Sequence, residues 1–168
     1  TPVGYQYLGN ALMENNRVTN TDLRGGRVPE DVDLLIVVAP YQLNERQVFA
    51  IDQFLMQGGT VFLSTSTRNI HVEANLEVRA HQSGLQQWLA HHGLEVGAGL
   101  VMDPVNTEFP VPVERYVGTT SVQEIKRLPY PLFPDLRGDQ LSRDSVITSG
   151  MDQLTVNWIS PVSIDNVL

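Results

Sequence analysis

The chain contains no cysteine, and Lys126 is its only lysine. The lack of cysteine excludes disulfides, thiolate metal sites and a cysteine nucleophile, but it leaves the compartment open because cysteine-free proteins occur on both sides of a membrane. Positive charge is scarce, since 11 Lys and Arg residues stand against 19 Asp and Glu residues, for a net charge of -8. A nucleic acid or an anionic membrane surface requires a basic patch on its partner. We therefore expect neither of them to be the main partner.

Long apolar runs are absent as well. No stretch approaches the roughly 20 residues that span a membrane, and no signal peptide is visible. The composition is that of a globular protein, with 42% hydrophobic and 18% charged residues, and the length predicts a single domain over residues 1–168. Because the chain begins at Thr1 rather than at a methionine, we expect a fragment of a longer protein whose membrane anchors lie outside this sequence.

The most informative stretch is residues 33–69, which has the pattern of a strand, a loop, a helix, a turn and a second strand. Residues 34–39 form a continuous branched apolar run that is too short for a helix and is stopped by Pro40. Such a run is typical of a parallel strand that is covered on both faces. Residues 60–63 resume a β-branched run, and a right-handed crossover would place this second strand parallel to the first.

A helix is predicted between these two strands. Asn44 and Gln47 have the spacing of a capping box, so the helix should begin at Glu45. Gly58 and Gly59 should supply the positive φ angles that end it. Apolar residues recur at spacings of three and four, which predicts one face that packs on the sheet. The residues of this face are Val48, Ile51, Phe54 and Leu55.

The rest of the chain adds further elements to this half-sheet. Three prolines in residues 128–134 fix an extended backbone and forbid a regular helix. Together the pattern predicts a three-layer α/β fold, in which a mostly parallel sheet carries helices on both faces and additional strands follow toward the C terminus. Helices are predicted over residues 4–16 and 83–92, and strands over residues 17–23, 94–102, 111–125, 146–150 and 155–159.

Polar side chains gather where the two strands of residues 33–69 end. Open α/β sheets bind ligands at the carboxyl edge of their strands, which predicts a contact surface for a ligand or partner in loops 40–44 and 64–69. Arg68 is the predicted anchor for an anion, and Tyr41 is the predicted stacking or apolar contact. The alternative is an ordinary polar loop whose hydroxyls bind their own backbone. The predicted contact residues are Tyr41, Gln42, Asn44, Ser64, Thr65, Ser66, Arg68 and Asn69, with Asp103 and Asn106 at the same edge.

No motif for catalysis, for a metal or for a nucleotide assembles in the sequence. A nucleophile elbow is usually flanked by glycines, and neither of the turns that follow the two strands has them. A serine nucleophile at Ser64 or Ser66, served by His71 or His81, is the alternative. No His-x-x-x-His or Glu-x-x-His pair is present, and the glycines form neither a dinucleotide motif nor a phosphate-binding loop. We therefore predict no enzymatic activity, no metal site and no cofactor.

Several phrases of the sequence, taken together, resemble a known family. Each phrase is common by itself, but their order and spacing are similar to those in the auxiliary proteins of ABC transport systems associated with gliding motility. The resemblance covers residues 5–165. The phrases that carry it are residues 32–40, 43–45, 50–59, 85–96 and 100–104 and the closing residues 158–161.

The resemblance implies a flavodoxin-like, class I amidotransferase-like fold that has lost catalysis. It also implies a membrane-anchored subunit on the extracytoplasmic (periplasmic) side of the bacterial inner membrane, which works beside a permease and an ATPase. On this basis we predict a non-catalytic recognition or scaffolding domain of an ABC-type transport complex. Two alternatives stay open: a small hydrolase on the same scaffold, and a binding module for a saccharide or a peptide.

Overall fold

A computed structural model describes residues 4–72, 76–118 and 120–165. The chain divides into two compact units. The first contains the described residues up to Thr65 together with Ser83–Trp88, and the second contains the other described residues between Ser66 and Gln82 and from Leu89 onward. The single domain over residues 1–168 stays a prediction, because the proximity of Cα atoms does not show whether either unit folds alone.

The first unit is built on a strand–helix–strand motif. Its elements are helix α1 (Gln6–Met13), strand β1 (Leu34–Val38), helix α2 (Glu45–Met56) and strand β2 (Thr60–Ser64). β1 and β2 pair in parallel, with Leu35 opposite Val61. This confirms the predicted strand–helix–strand order and the predicted parallel pairing of its two strands.

Helix α2 begins where the sequence predicts. The side-chain oxygen of Asn44 accepts the backbone N–H of Gln47 at 3.1 Å, and Oε1 of Gln47 accepts the backbone N–H of Asn44 at 3.1 Å. This reciprocal capping box satisfies two N–H groups that the first helical turn leaves unpaired. At the other end Gly58 has the predicted positive φ of 91°. Gly59 does not, and it is needed for close packing instead, because a Cβ there would lie 2.5 Å from the ring of Phe54.

An Asn44→Ala variant should lower the free energy of unfolding by about 1 kcal/mol, because it removes the oxygen that caps α2. Asn44→Ser keeps a capping oxygen and should lose only a small part of that stability. Urea unfolding followed by far-UV circular dichroism measures both. Equal losses in the two variants would show that the cap does not stabilise the helix.

One face of the β1–β2 pair is open, so the prediction of a strand covered on both faces is wrong. Leu35 is buried, and α2 packs on β2. Side chains alternate between the two faces of a sheet, and the register places Leu34 and Phe62 on the face opposite Leu35. These two side chains are 46% and 50% exposed. In the described part of the chain, no second helical layer covers them.

The second unit consists mainly of antiparallel strands in three small sheets. Helix α3 (Gln86–His91) leads into it along the chain. It contains the pair β3 (Arg68–His71) with β4 (Glu77–Ala80), and the pair β5 (Leu94–Val96) with β9 (Val162–Ile164). Its third sheet has the order β6 (Asn106–Val117), β7 (Thr120–Arg137) and β8 (Gln153–Thr155).

The predicted mostly parallel, flavodoxin-like or amidotransferase-like sheet with helices on both faces is therefore wrong. Strands dominate the described residues, the sheets are small, and β1–β2 is the one parallel pair among them. The physical reason is that a strand–helix–strand pattern fixes only its own two strands. The partners of the later strands lie far away in the sequence, as Leu94 and Ile164 do in the β5–β9 pair, and no local pattern specifies such pairs.

Two predicted strands are wrong for a second reason. Residues 17–23 form no strand, because the side chains of Thr21 and Asp22 accept backbone N–H groups two residues later. Residues 146–150 are a series of turns in which Oγ of Ser145 accepts the N–H of Ile147 at 3.3 Å. Short polar side chains that bind their own backbone compete with a strand ladder. By contrast, the proline-rich segment 128–134 is extended as predicted and lies within β7.

Four aromatic side chains form the centre of the second unit. The rings of Phe133 and Trp158 meet edge to face with centroids 4.7 Å apart, and Tyr130 lies 4.9 Å from Phe133. Phe109 contacts all three. Nε1 of Trp158 donates to the hydroxyl of Tyr130 at 3.2 Å, which satisfies the polar end of the indole. This cluster joins β6 and β7 to the segment before β9.

An ion pair on β7 predicts acid sensitivity. Asp135 is buried, and its Oδ2 accepts hydrogen bonds from Arg137 at 2.6 and 3.0 Å. The bond from Arg137 lowers the pKa of Asp135, although burial opposes the shift. A carboxylate whose pKa is lower in the folded state stabilises the protein above its unfolded pKa, about 3.9. That stabilisation is lost as the pH falls below this value and through the folded pKa.

We expect Asp135→Asn to remove this acid-dependent part of the stability, so that the variant loses less between pH 7 and pH 3 than the wild type. These two pH values lie on either side of the unfolded pKa of an aspartate, about 3.9. Urea unfolding at both pH values measures the difference. Arg137→Gln, which leaves the carboxylate without its cation, should reduce the same component. Identical pH profiles for Asp135→Asn and the wild type would contradict the prediction.

Candidate functional site

The loop that follows β1 has an unusual backbone. Ala39 and Gln42 have positive φ angles of 43° and 49°, a region that residues other than glycine rarely occupy. Each such residue costs about 1–3 kcal/mol, and such residues cluster at functional sites. We call residues 39–42 the β1 loop. Its conformation makes it the strongest candidate for a functional surface in the first unit.

Contacts on both sides hold the β1 loop in place. The backbone N–H of Ala39 donates to the carbonyl of Ser64 at 2.8 Å, which ties the loop to the end of β2. The N–H of Leu43 donates to the carbonyl of Ser83 at 2.9 Å. Gly84 lies against Leu43 so closely that an added Cβ would come within 2.3 Å of the Leu43 carbonyl oxygen. The loop is therefore anchored at both of its ends.

Between these anchors the loop presents Tyr41. Pro40 is buried, whereas the side chain of Tyr41 is 66% exposed. Gln42 is exposed beside it, and Asn44 is occupied in capping α2. A large aromatic side chain on a fixed backbone is suited to recognition, because little conformational entropy is lost when it binds.

The end of β2 carries a buried hydroxyl without a partner. Oγ1 of Thr65 has no hydrogen-bond partner among the described residues. A buried polar group in this state costs about 1–3 kcal/mol and calls for an explanation, such as a bound water or ligand. Val38 and Ser64 pair at the ends of β1 and β2. Thr65, which comes directly after Ser64, therefore lies at the same edge of the sheet as the β1 loop.

The predicted hydroxyl cluster beyond Thr65 binds its own unit. Oγ of Ser66 lies 3.0 Å from Oγ of Ser160 and accepts the N–H of Arg68 at 3.1 Å. Nε of Arg68 donates to the carbonyl of Ala98 at 2.7 Å. Asn69 lies in β3 opposite Arg79. Of these contacts, the bond from the N–H of Arg68 to Ser66 is of the kind that the alternative of an ordinary polar loop describes, whereas the bonds to Ser160 and Ala98 reach distant parts of the second unit.

Asp103 and Asn106 stabilise the turn that leads into β6, of which Asn106 is the first residue. Oδ1 of Asp103 accepts the N–H of Val105 at 2.7 Å. The amide of Asn106 donates to the carbonyl of Pro104 at 2.9 Å and accepts the N–H of Tyr130 at 2.7 Å. Both side chains hold the backbone of the second unit together.

The ten predicted contact residues fall into two sets. The first unit contains Tyr41, Gln42, Asn44, Ser64 and Thr65, which the structure brings to one edge of the β1–β2 pair. The second unit contains Ser66, Arg68, Asn69, Asp103 and Asn106. Contact of any of them with a ligand stays a prediction. The sequence patterns did not indicate Ala39 or Gly84 as functional positions, and only Gly84, which follows a serine before a helix, offered a signal.

The family follows from comparison with known proteins. A family model matches residues 5–167. It describes an auxiliary component of an ABC-type uncharacterized transport system. The chain belongs to this family. Searches of curated proteins and of solved structures gave no match. The family part of the predicted resemblance is confirmed, and its association with gliding motility stays a prediction.

In this auxiliary transport protein, the hydroxyl of Ser66 is engaged within the second unit. This hydroxyl lies 3.0 Å from Oγ of Ser160 and accepts the backbone N–H of Arg68. Among the described residues, no three His, Asp or Glu side chains are grouped closely enough to hold a metal ion. None of the helices in the described residues has the length and apolar character needed to cross a membrane.

Proposed function

We propose that this chain is a non-catalytic recognition or scaffolding domain of an ABC-type transport complex. Membership in the auxiliary family is the observation that carries the proposal. The domain lies on the extracytoplasmic (periplasmic) side of the bacterial inner membrane, anchored through segments outside this sequence, and it works beside the permease and the ATPase of its system. The absence of cysteine is compatible with that location.

The β1 loop is the contact surface in this proposal. It combines an exposed tyrosine with a backbone that is fixed by β2 on one side and by residues 83–84 on the other. Tyrosine is enriched among the residues that dominate binding energy at protein interfaces. A fixed loop also avoids the entropy cost that a flexible one would pay on binding.

Tyr41→Ala should weaken binding to the permease–ATPase complex about tenfold or more, the effect of losing one dominant aromatic contact. Binding is compared at a temperature at which circular dichroism shows both proteins fully folded, so that a loss of affinity reports on the contact itself. Tyr7→Ala, which removes a tyrosine that is 80% exposed on α1, is the matched control and should leave binding intact. Affinity is measured between the purified domain and the detergent-solubilised transporter.

Arg68→Ala tests the predicted anion anchor in the same binding assay. If Tyr41→Ala and Arg68→Ala both bind with wild-type affinity, loops 40–44 and 64–69 are not the contact surface.

The location is tested separately, by protease treatment of intact spheroplasts that express the full-length protein. Protection of this domain until the membrane is lysed would place it in the cytoplasm and contradict the proposal.

A second candidate function is the binding of a small saccharide or peptide. The unpaired Oγ1 of Thr65 favours it, because a ligand hydroxyl or amide would satisfy this buried group. Thermal-shift screening against oligosaccharides and peptides tests it, since a ligand specific for the folded state raises the unfolding midpoint. A shift that persists in Thr65→Val would show that the ligand binds elsewhere.

A further inference from the structure

Strands β6 and β7 extend as a two-stranded ribbon. Residues 110–117 pair with residues 120–127, and β8 joins β7 only at Asp135–Arg137. No third strand flanks the outer part of the ribbon within the described residues. A lone two-stranded hairpin is marginally stable in water. Several of its apolar side chains are exposed, namely Tyr116, Val122, Ile125 and Leu128.

Prolines reveal which backbone groups of the ribbon point outward. Pro110 lies opposite Arg127, Pro112 opposite Ile125, and Pro129 opposite Glu108. Proline has no N–H, so it fits the positions of an antiparallel ladder whose N–H and C=O groups point away from the partner strand. All three prolines occupy the same set of alternating positions. By this alternation, the outward-pointing residues of β7 are Ser121, Gln123, Ile125 and Arg127.

The two edges of the ribbon differ in their capacity to pair. On β6, Pro110 and Pro112 interrupt the outward N–H groups and thereby block the addition of a strand. On β7, no proline occurs from Thr120 to Leu128. This part of β7, which we call the β7 edge, presents an unbroken row of outward amides. Such an edge is a template for pairing with another strand.

We propose that the β7 edge pairs antiparallel with the β7 edge of a second copy of this chain, about a two-fold axis at Ile125. In this register Ile125 meets Ile125 of the second copy, and Glu124 lies opposite Lys126 of the second copy in two symmetric pairs. Val122 lies opposite Leu128. Cross-strand pairs of opposite charge and of apolar residues stabilise a sheet. The two ribbons together form a four-stranded sheet. A sheet of three or more strands can be stable on its own, whereas a single hairpin is marginal.

Neighbouring registers lack this complementarity. An axis at Glu124 places two glutamates opposite each other, and an axis at Lys126 does the same with two lysines, which destabilises a sheet. In the proposed register the ladder ends where Ser121 meets Pro129, because Pro129 has no N–H to donate. The charges of the β7 edge thus favour this register over its neighbours. The resulting interface is self-complementary, as an interface about a two-fold axis must be.

Cross-linking tests the register directly. The chain has no cysteine, so Ile125→Cys and Glu114→Cys each introduce a single thiol, the first on the β7 edge and the second on the edge that carries Pro110 and Pro112. A short bismaleimide should join two copies of Ile125→Cys, because paired Cα atoms in such a ladder lie about 5.5 Å apart. Glu114→Cys should not cross-link. Equal yields, or no dimer for Ile125→Cys, would overturn the proposal.

Charge reversal provides a second test, measured by sedimentation velocity over a range of protein concentrations. Glu124→Lys should raise the dimer dissociation constant at least about tenfold, because it creates two like-charge pairs. Glu124→Lys combined with Lys126→Glu should restore the wild-type value. A wild type that stays monomeric at every concentration, or a double variant that stays dissociated, would overturn the proposal.

A matched pair of prolines controls for folding of the ribbon. Glu114 and Gln123 lie opposite each other, and both belong to the outward-pointing set, so proline at either position leaves the β6–β7 hydrogen bonds in place. Gln123→Pro should abolish dimerisation, and Glu114→Pro should preserve it. Loss of the dimer in both variants, with native circular dichroism spectra, would show that dimerisation does not use the β7 edge.

Discussion

An Ile51→Ala variant should lose about 3 kcal/mol of unfolding free energy. Ile51 lies in the middle of α2 and is only 1% exposed. Truncation removes buried methyl and methylene groups and leaves a cavity that the neighbouring side chains fill only in part. The open second face of the β1–β2 pair makes the loss more serious, because the face under α2 is the covered side of this small sheet.

Phe49→Ala is the control for this prediction. It removes a larger side chain from the same helix, but Phe49 is exposed, so its loss should change stability by no more than about 0.5 kcal/mol. Urea unfolding followed by far-UV circular dichroism compares the two variants. If Phe49→Ala proves as costly as Ile51→Ala, the helix packs through a different face from the one described.

Gly84→Ala should destabilise the first unit by about 2–3 kcal/mol. Gly84 has a φ of +86°, which an L-residue with a side chain rarely adopts, and a Cβ there would lie 2.3 Å from the carbonyl oxygen of Leu43 and 2.7 Å from its backbone nitrogen. These are backbone atoms that cannot rotate away as the tip of a side chain could. Relief of the clash requires Leu43 to move, and the β1 loop moves with it.

We therefore expect Gly84→Ala to reduce both the stability of the first unit and the affinity for the transporter. Its binding to the transporter should fall together with its stability, and the binding loss should persist at a temperature where the variant is still fully folded. Gly25→Ala is the matched control, since an added Cβ there meets nothing within 4 Å, and it should change neither property. Normal affinity in folded Gly84→Ala would show that the β1 loop does not depend on this contact.

The sequence predicted helix α2 and the β1–β2 pair because their signals are local. The capping box acts between Asn44 and Gln47, and Gly58 ends the helix through its own φ angle. The family was also predictable, because it depends on the order of short phrases along the chain. In the site, the structure places Tyr41 on the β1 loop with an exposed side chain, and its predicted role as a stacking or apolar contact stays a prediction.

The positions that were missed depend on distant contacts. The backbone N–H of Ala39 donates to the carbonyl of Ser64, and this bond helps to hold Ala39 at its positive φ. An alanine in a sequence gives no indication that its φ is positive. The partner of the Ser66 hydroxyl, Ser160, lies 94 residues away, and the role of Ser66 as a contact residue stays a prediction. A hydroxyl in a loop has the same sequence signature whether it contacts a ligand or another part of its own chain.

By itself, the sequence determined the absence of cysteine chemistry, the acidic character, the limits of α2 and the family. These follow from composition or from interactions within a few residues, which the chain carries wherever it folds. Only the tertiary structure decided that the sheets are small and mostly antiparallel, that one face of β1–β2 is open, and that β7 presents an unblocked edge. Strand pairing is decided by partners far apart in sequence, because the free energy of a ladder depends on which strands meet and not on either strand alone.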